Sequence, residues 1–255
     1  MRKYIIILIV FLSAEVFADD VKFRHLSIDD GLSQNAVYEI EFTVKQGHDY
    51  AFREGIKVWK ECYLKNEGEW KWTLWRRIQG EGNVYALTSY MENWSEMDET
   101  DSAGKGCRDN SRELINPHIE KAEYSLYRTM PDYSADSDVD NKIVWVTFWD
   151  VKNSDVFKES IKKVSEILGK EESDTHGTWY LSMGGAPDAA NYFVATPFEN
   201  WAALDVERDG VWKVVEESEG EKVKDELRAN MRSSVNDVWS YIYERQDELS
   251  NLLQE

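Results

Sequence analysis

Apolar residues recur in the same order at two places along the chain. From "FREGIKVW", which begins at position 52, and from "FKESIKKV", which begins at position 157, apolar residues follow at offsets of 0, 4, 7 and 11. This spacing places them on one face of a helix. We therefore predict two equivalent amphipathic helices with these buried residues: Phe52, Ile56, Trp59 and Tyr63 in the first, and Phe157, Ile161, Val164 and Leu168 in the second.

Strand-like segments surround both helices in the same order. "AVYEIEFTV" and "KIVWVTFWDV" precede the helices, and "WKWTLWRRI" and "GTWYLSMGG" follow them. A third pair, "VYALTSY" and "YFVATPF", leads into a Glu-Asn-Trp tripeptide at 92–94 and again at 199–201. A further helix and strand close each copy, so the sequence predicts the order β-α-β-β-α-β twice. We expect Trp94 and Trp201 to pack at the end of the third strand against the following helix.

This order of elements is the split βαβ, or ferredoxin-like, unit. Helices cover one face of its four-stranded antiparallel sheet and leave the other face open, and two copies in one chain can cover each other. We predict an α+β fold with two tandem ferredoxin-like units at 36–130 and 142–245, a linker at 131–141 and a C-terminal tail at 246–255.

The repeated order resembles the dimeric α/β-barrel superfamily, which includes antibiotic-biosynthesis monooxygenase-like and related small-molecule proteins. The resemblance covers about residues 36–245 as a pattern of elements and involves no catalytic motif. It implies that the open faces of the two sheets meet, enclose a cavity and form an intrachain α/β barrel.

A signal peptide is predicted at 1–18. Arg2 and Lys3 precede the unbroken apolar run 4–12, and small residues stand before the expected cleavage point after Ala18. We therefore expect a periplasmic or secreted protein. No later segment approaches the length of about eighteen apolar residues that a membrane helix needs, so no membrane span is expected after cleavage. A retained membrane anchor is the alternative.

Residues 19–35 are expected to form an extended N-terminal arm. The stretch "FRHLSIDDGLSQNAVYEI" at 23–40 resembles the opening of the periplasmic two-component-regulator propeller domains. The resemblance implies a role as an accessory to a periplasmic sensor. The remaining chain departs from that family, because it has no blade signature and is too short to build a propeller.

The charge of the chain argues against one class of partner. Of the 255 residues, 30 are Lys or Arg and 49 are Asp or Glu, so the net charge is -19. Such a surface repels nucleic-acid phosphates, and no run of basic residues is longer than two, as at Arg76-Arg77. We expect no nucleic-acid partner. Apolar residues make up 42% of the chain, which is ample for a packed core.

Strand alternation predicts which side chains line the cavity. Alignment of the two first strands matches apolar residues that we assign to the helix-covered face: Tyr38, Ile40 and Phe42 in the first copy, and Val144, Val146 and Phe148 in the second. The alternate residues of the first strands face the other way, and with residues of the second strands they form the predicted cavity wall: Glu39, Glu41, Trp75, Arg77, Trp145, Trp149 and Tyr180.

These side chains predict a pocket for an aromatic small molecule. A buried Glu has a raised pKa and can act as a general base, so the protein would be an exported binding protein or a cofactor-independent enzyme. One alternative is that Glu39 and Glu41 lie in water or pair with Arg77. Another is a non-catalytic interaction module with a filled core, in which the tryptophans only pack. A void on the order of several hundred Å³ would favour the first interpretation.

The histidines show no metal-binding pattern. His25, His48, His118 and His176 stand singly, without zinc-binding spacing, so we expect no metal and no cofactor. By analogy with some barrel relatives His118 is a candidate haem ligand. The alternative is an ordinary surface or core histidine.

Cys62 and Cys107 are the only cysteines in the chain. Export would place them in an oxidising compartment, and both fall in the first unit, so we predict that they form a disulfide. The alternative is two buried free thiols.

Overall fold

Eight antiparallel strands close a barrel in the computed structural model. The predicted signal peptide at 1–18, the arm at 19–35, the middle of the predicted linker and most of the propeller-like stretch lie outside the residues that the structure describes. Those described residues are 36–135, 141–171, 176–185 and 189–252.

Two halves of similar organisation follow one another along the chain. The first half contains β1 (Ala36–Val44), α1 (Asp49–Lys65), β2 (Thr73–Arg77), β3 (Asn83–Met91), α2 (Ser102–Gly106), α3 (Arg108–Leu114) and β4 (Ile119–Thr129). The second half contains β5 (Ile143–Val151), α4 (Ser154–Lys170), β6 (Thr178–Gly184), β7 (Tyr192–Phe198), α5 (Val211–Glu219), α6 (Glu221–Ser234) and β8 (Val235–Arg245). Short 3-10 turns lie at Trp94–Asp98, Asn116–His118, Pro131–Tyr133 and Trp201–Leu204.

The strands follow the same spatial order in both halves. They run β4-β1-β3-β2 in the first half and β8-β5-β7-β6 in the second. The halves join where residues 75–77 of β2 pair with β8 and where residues 126–129 of β4 pair with β6. Each strand therefore has two neighbours, and the sheet has no free edge. The predicted α+β class with an antiparallel barrel is confirmed.

The long helices pack on the outer face of the barrel through their predicted apolar faces. Phe52 of α1 lies 5.8 Å from Phe42 of β1 between ring centroids. All eight residues that the helix spacing predicted as buried are less than a tenth exposed. Burial of an apolar side chain of this size stabilises the fold by roughly 1.5–3 kcal/mol. Within the described ranges, no helix has both the length and the apolar character needed to cross a membrane.

The repeated Glu-Asn-Trp tripeptides work through their asparagines. Asn93 Oδ1 accepts a hydrogen bond from the backbone N–H of Ser95 at 3.1 Å, and Asn200 Oδ1 accepts one from Ala203 at 3.1 Å. Each asparagine caps the 3-10 turn that ends its strand. The prediction for the tryptophans is wrong, because Trp94 is 47% exposed and Trp201 is 42% exposed. The repeat therefore encodes a chain reversal.

The residues after β8 return to the first half. Gln246 donates its backbone N–H to the Leu74 carbonyl at 2.8 Å, and Asn251 forms an isolated β-bridge with Trp72. Leu249 is fully buried among the side chains of α1 and β2. The described part of the predicted C-terminal tail at 246–255 is thus packed against the barrel.

A disulfide joins Cys62 of α1 to Cys107, which lies between α2 and α3. The two Cα atoms are 5.9 Å apart, and 45 residues separate the cysteines in the sequence. The Asn66 side chain donates to the Cys62 carbonyl at 3.0 Å beside the bond. The disulfide therefore ties α1 to the short helices that cover the same side of the barrel.

We expect loss of this disulfide to destabilise the protein by about 2 to 4 kcal/mol, because the closed loop restricts the unfolded chain. The measurement is guanidinium unfolding of the oxidised protein with and without a thiol reductant. The double variant Cys62→Ser/Cys107→Ser serves as the control and should not respond to the reductant. Equal stability of the oxidised and reduced protein would contradict the expectation.

Candidate functional site

The barrel contains a partly open cavity of about 310 Å³. This volume lies near the lower limit of small-molecule sites, which measure roughly 300 to 1,000 Å³. The cavity lies towards the end of the barrel at which β1, β5 and β6 begin and β3, β7 and β8 end. Most of its wall is aromatic or aliphatic, and both halves contribute, including Val37, Trp75, Ala86, Tyr90, Val144, Phe148, Tyr180, Phe193, Ala195 and Tyr243.

Glu39 is a carboxyl group in this apolar wall. It lies on β1 opposite Thr88 of β3 and Ser125 of β4. Among the residues that the structure describes, none donates a hydrogen bond to its carboxyl oxygens. Burial raises the pKa of Glu39 to about 8, and the nearby Glu41 charge adds to the increase. Such a group can both release and accept a proton near neutral pH.

Glu41 and Arg77 lie deeper along the barrel axis than the cavity. Burial raises the pKa of Glu41, whereas the positive charge of Arg77 opposes that increase. The Arg77 guanidinium also lies over the Tyr241 ring at 4.4 Å and donates to the Glu81 carbonyl. Neither Glu41 nor Arg77 borders the cavity, contrary to the prediction.

Two tyrosines from opposite halves meet in the cavity wall. The hydroxyls of Tyr90 on β3 and Tyr180 on β6 are 3.2 Å apart. The Tyr180 ring stacks on Phe193 with centroids 4.5 Å apart. Burial raises the pKa of both tyrosines, so both remain neutral phenols at physiological pH. The predicted cavity residue Trp75 lies close by and donates its indole N–H to Thr88 Oγ1 at 2.9 Å.

The predicted positions of Trp145 and Trp149 are wrong. Trp149 packs outside the barrel between Phe157 and Trp179, with centroid distances of 5.4 and 6.2 Å. Trp145 is 41% exposed. The residues of β5 that line the cavity are instead those assigned to the helix-covered face: Val144, Val146 and Phe148.

The prediction for β5 was wrong because its strand register was shifted by one residue. The two first strands were aligned with an offset of 106 residues, whereas the tripeptides at 92–94 and 199–201 are 107 apart. The bulges that interrupt β1 at Thr43/Val44 and β5 at Asp150/Val151 are also 107 apart. Because side chains alternate along a strand, a slip of one residue moves every side chain to the opposite face.

Several cavity residues on β3, β7 and β8 were not among those predicted from the sequence. Tyr90 alternates with Ala86 and Thr88 in "VYALTSY", so the same period-2 pattern would have found it. Tyr243 follows the same pattern on β8. The proximity of Tyr90 and Tyr180 has no local signal, because 90 residues separate them in the sequence.

The three histidines in the described part of the chain lie away from this cavity. His48 and His118 face each other across the start of α1, with their Nδ1 atoms 2.9 Å apart. His176 approaches the Tyr133 carbonyl at 3.3 Å. Over the described ranges, no group of three or more potential metal ligands comes together.

Comparison with solved structures defines the fold. No protein-family model matches the chain, and no curated protein matches it in sequence. An anthrone oxidase-like protein aligns with a TM-score of 0.50 and 8% identity, over 84% of this chain and 92% of that chain. A variant of chlorite dismutase from Candidatus Nitrospira defluvii aligns with a TM-score of 0.50 and 8% identity, over 84% and 94%.

A third similar structure is a heme-binding protein from Thermus thermophilus. It aligns with a TM-score of 0.46 and 9% identity, over 84% of this chain and 92% of that chain. Identities this low bear on the fold alone. With the topology above, the first two comparisons show that the chain has the ferredoxin-like α/β-barrel fold.

We expect Glu39→Gln to stabilise the protein above about pH 5. The unfolded carboxyl has a pKa near 4.5 and the folded one a pKa of about 8. The folded state therefore loses stability as the pH rises between these values. The titratable groups that face Glu39 are Glu41 and the neutral phenols Tyr127 and Tyr243. The advantage of the Gln variant should grow by roughly 1.4 kcal/mol per pH unit and level off near pH 8.

Urea unfolding of both proteins from pH 4 to pH 9 measures this difference. Glu120→Gln is the matched control, because it removes a carboxylate that is exposed on β4. Its stability should follow that of the wild-type protein at every pH. A constant difference between Glu39→Gln and wild type over the whole range would contradict the prediction.

Proposed function

We propose that the protein is a cofactor-independent enzyme or binding protein that holds an aromatic small molecule in the barrel cavity and exchanges a proton with it through Glu39. One observation carries the proposal. A carboxyl group with a pKa of about 8 faces an apolar cavity of about 310 Å³ and receives no hydrogen bond from the described residues. Burial of such a group costs stability, and groups of this kind cluster at functional sites.

The cavity wall suits a flat aromatic ligand. Trp75, Phe148, Tyr180 and Phe193 supply aromatic surface on several sides, and aromatic pairs gain about 0.5–1.5 kcal/mol beyond the burial of their area. A ligand in this space would exclude water from Glu39. Its ionised carboxylate could then remove a proton from an acidic C–H or O–H of the ligand, and the protonated form could return it.

The anthrone oxidase-like neighbour has a name that agrees with an aromatic ligand. At 8% identity it contributes no residue assignment. The proposal therefore depends on the cavity and Glu39 of this chain.

The residues present do not fit a haem group. Haem iron takes His, Cys, Met or ionised Tyr as its protein ligand. Within the described residues the cavity wall contains no His, Cys or Met. Burial raises the pKa of its tyrosines Tyr90, Tyr180 and Tyr243, so they stay protonated. His118 faces His48 away from the cavity.

We also propose that the halves are tandem copies of one ferredoxin-like unit at 36–130 and 142–245. Support comes from the shared strand order and from the equivalent asparagine caps, Asn93 and Asn200.

Export to the periplasm or beyond remains our expectation from residues 1–18, and the disulfide agrees with it, since disulfides persist in oxidising compartments. The alternative role as an accessory to a sensor rests mostly on residues outside those described. The unfilled cavity of about 310 Å³ disfavours the other alternative, an interaction module with a filled core.

We expect the cavity to bind 2-tetralone, a two-ring ketone with acidic C–H groups, and Glu39 to speed exchange of those hydrogens with solvent deuterium. Proton NMR in buffered D2O follows the exchange. Glu39→Gln should reduce the protein-dependent rate at least tenfold, since the amide cannot accept the proton. An exchange rate with Glu39→Gln equal to that of wild type would rule out the proton-transfer role.

Binding has its own matched pair of variants. Ala195→Phe places a ring in the cavity and should weaken binding of 2-tetralone at least tenfold. Ala202→Phe adds the same ring at an exposed site and should bind like wild type. Equal binding by both variants would show that the ligand does not occupy the cavity.

A further inference from the structure

We infer that the Tyr90 and Tyr180 hydroxyls form an oxyanion-binding pair, so that the cavity selects aromatic compounds carrying a carbonyl or phenolic oxygen. The inference rests on the proposed function and adds the chemical class of the ligand. The pair would stabilise the negative charge that develops on the ligand oxygen when Glu39 removes a proton from the ligand.

The pairing of the two hydroxyls leaves one proton available. Each phenol has a single O–H, and at 3.2 Å one hydroxyl donates to the other. The accepting hydroxyl keeps its own proton for a third group. No acceptor for this second proton occurs among the described residues, and both side chains border the cavity. The free O–H is therefore a donor to the oxygen of a bound ligand.

The position of the pair relative to Glu39 suits one bound molecule. Glu39 is the cross-strand partner of Thr88, and Tyr90 lies two residues further along the same face of β3. Diagonal neighbours of this kind have backbones about 7–8 Å apart. Tyr180 reaches the same point from the other half of the barrel. A two-ring ligand can thus present its acidic hydrogen to Glu39 and its oxygen to the tyrosines.

The surroundings strengthen such a donor. A bound ligand would displace water from the cavity, so hydrogen bonds to it would act at low dielectric, where prearranged donors stabilise developing negative charge most effectively. The Trp75 indole N–H is not free to donate to the ligand oxygen, because it already donates to Thr88 Oγ1 at 2.9 Å. The raised pKa values of Tyr90 and Tyr180 keep both protons in place at neutral pH.

The proton transfer that this arrangement supports is balanced without an oxidant. The Glu39 carboxylate forms an O–H bond as the C–H bond next to the ligand carbonyl breaks. The electron pair of that C–H bond becomes the carbon–carbon double bond of an enolate, and the π pair of the carbonyl moves onto its oxygen. The tyrosine pair donates a hydrogen bond to the enolate oxygen, and return of the proton from Glu39 regenerates a neutral ligand.

Two ligands of the same shape test the inference. 2-Naphthol carries a hydroxyl where 2-methylnaphthalene carries a methyl group, and its anion resembles an aromatic enolate. Tyr90→Phe and Tyr180→Phe should each weaken binding of 2-naphthol by about 10- to 100-fold, the range for hydrogen bonds to charged groups. Binding of 2-methylnaphthalene should change less than about twofold, which also shows that each variant is folded.

Tyr243→Phe is the control, because Tyr243 also lines the cavity but lies outside the pair. It should affect 2-naphthol less than either pair variant. The absorption spectrum of bound 2-naphthol gives a second readout, and the naphtholate fraction should fall in the pair variants alone.

Equal effects of Tyr90→Phe on both ligands, or an effect of Tyr243→Phe as large as that of Tyr90→Phe, would overturn the inference while the proposed function stands. If wild-type protein bound neither naphthalene compound and did not exchange 2-tetralone, the proposed function would fail and the inference with it.

Discussion

Pairing between the two halves at β2–β8 and β4–β6 is the constraint on which the remaining structure depends. Either half alone would expose two sheet edges and an apolar face to water. The two seams remove the edges and turn both inner faces towards each other. Because the inner faces meet incompletely, a cavity remains, and water around the groups that line it is reduced. The altered acidity of Glu39 follows from this closure.

The two halves are alike in architecture and unlike in chemistry. With the 107-residue offset, Glu39 corresponds to Val146, and Glu41 corresponds to Phe148. One half thus supplies the carboxyl groups and the other supplies apolar wall. A carboxyl in an apolar cavity departs from the packing expected for stability alone, and such departures are concentrated at functional sites. The division of roles between the halves is what makes the cavity a candidate site.

Much of the architecture could be predicted from periodicity. The helix spacing identified the buried faces of α1 and α4, and the order of elements predicted the barrel. The inward-facing sides of β1, β2 and β6 could also be predicted, since Glu39, Trp75 and Tyr180 do border the cavity. The inward-facing side of β5 could not be predicted in the same way. Both faces of "KIVWVTFWDV" are apolar, so the pattern fits equally well after a shift of one residue. Contacts between halves, such as that of Tyr90 with Tyr180, depend on closure and leave no local pattern.

The protonation state of Glu39 links the closed barrel to the proposed chemistry. Carbon-13 NMR of protein labelled at the glutamate carboxyl carbons measures it directly, with Glu39→Gln used to assign the signal. A titration midpoint near pH 8 is expected, because burial in the cavity disfavours the carboxylate. A midpoint near 4.5, the value for a solvated glutamate, would show that water reaches the group freely and would contradict a desolvated site for proton transfer.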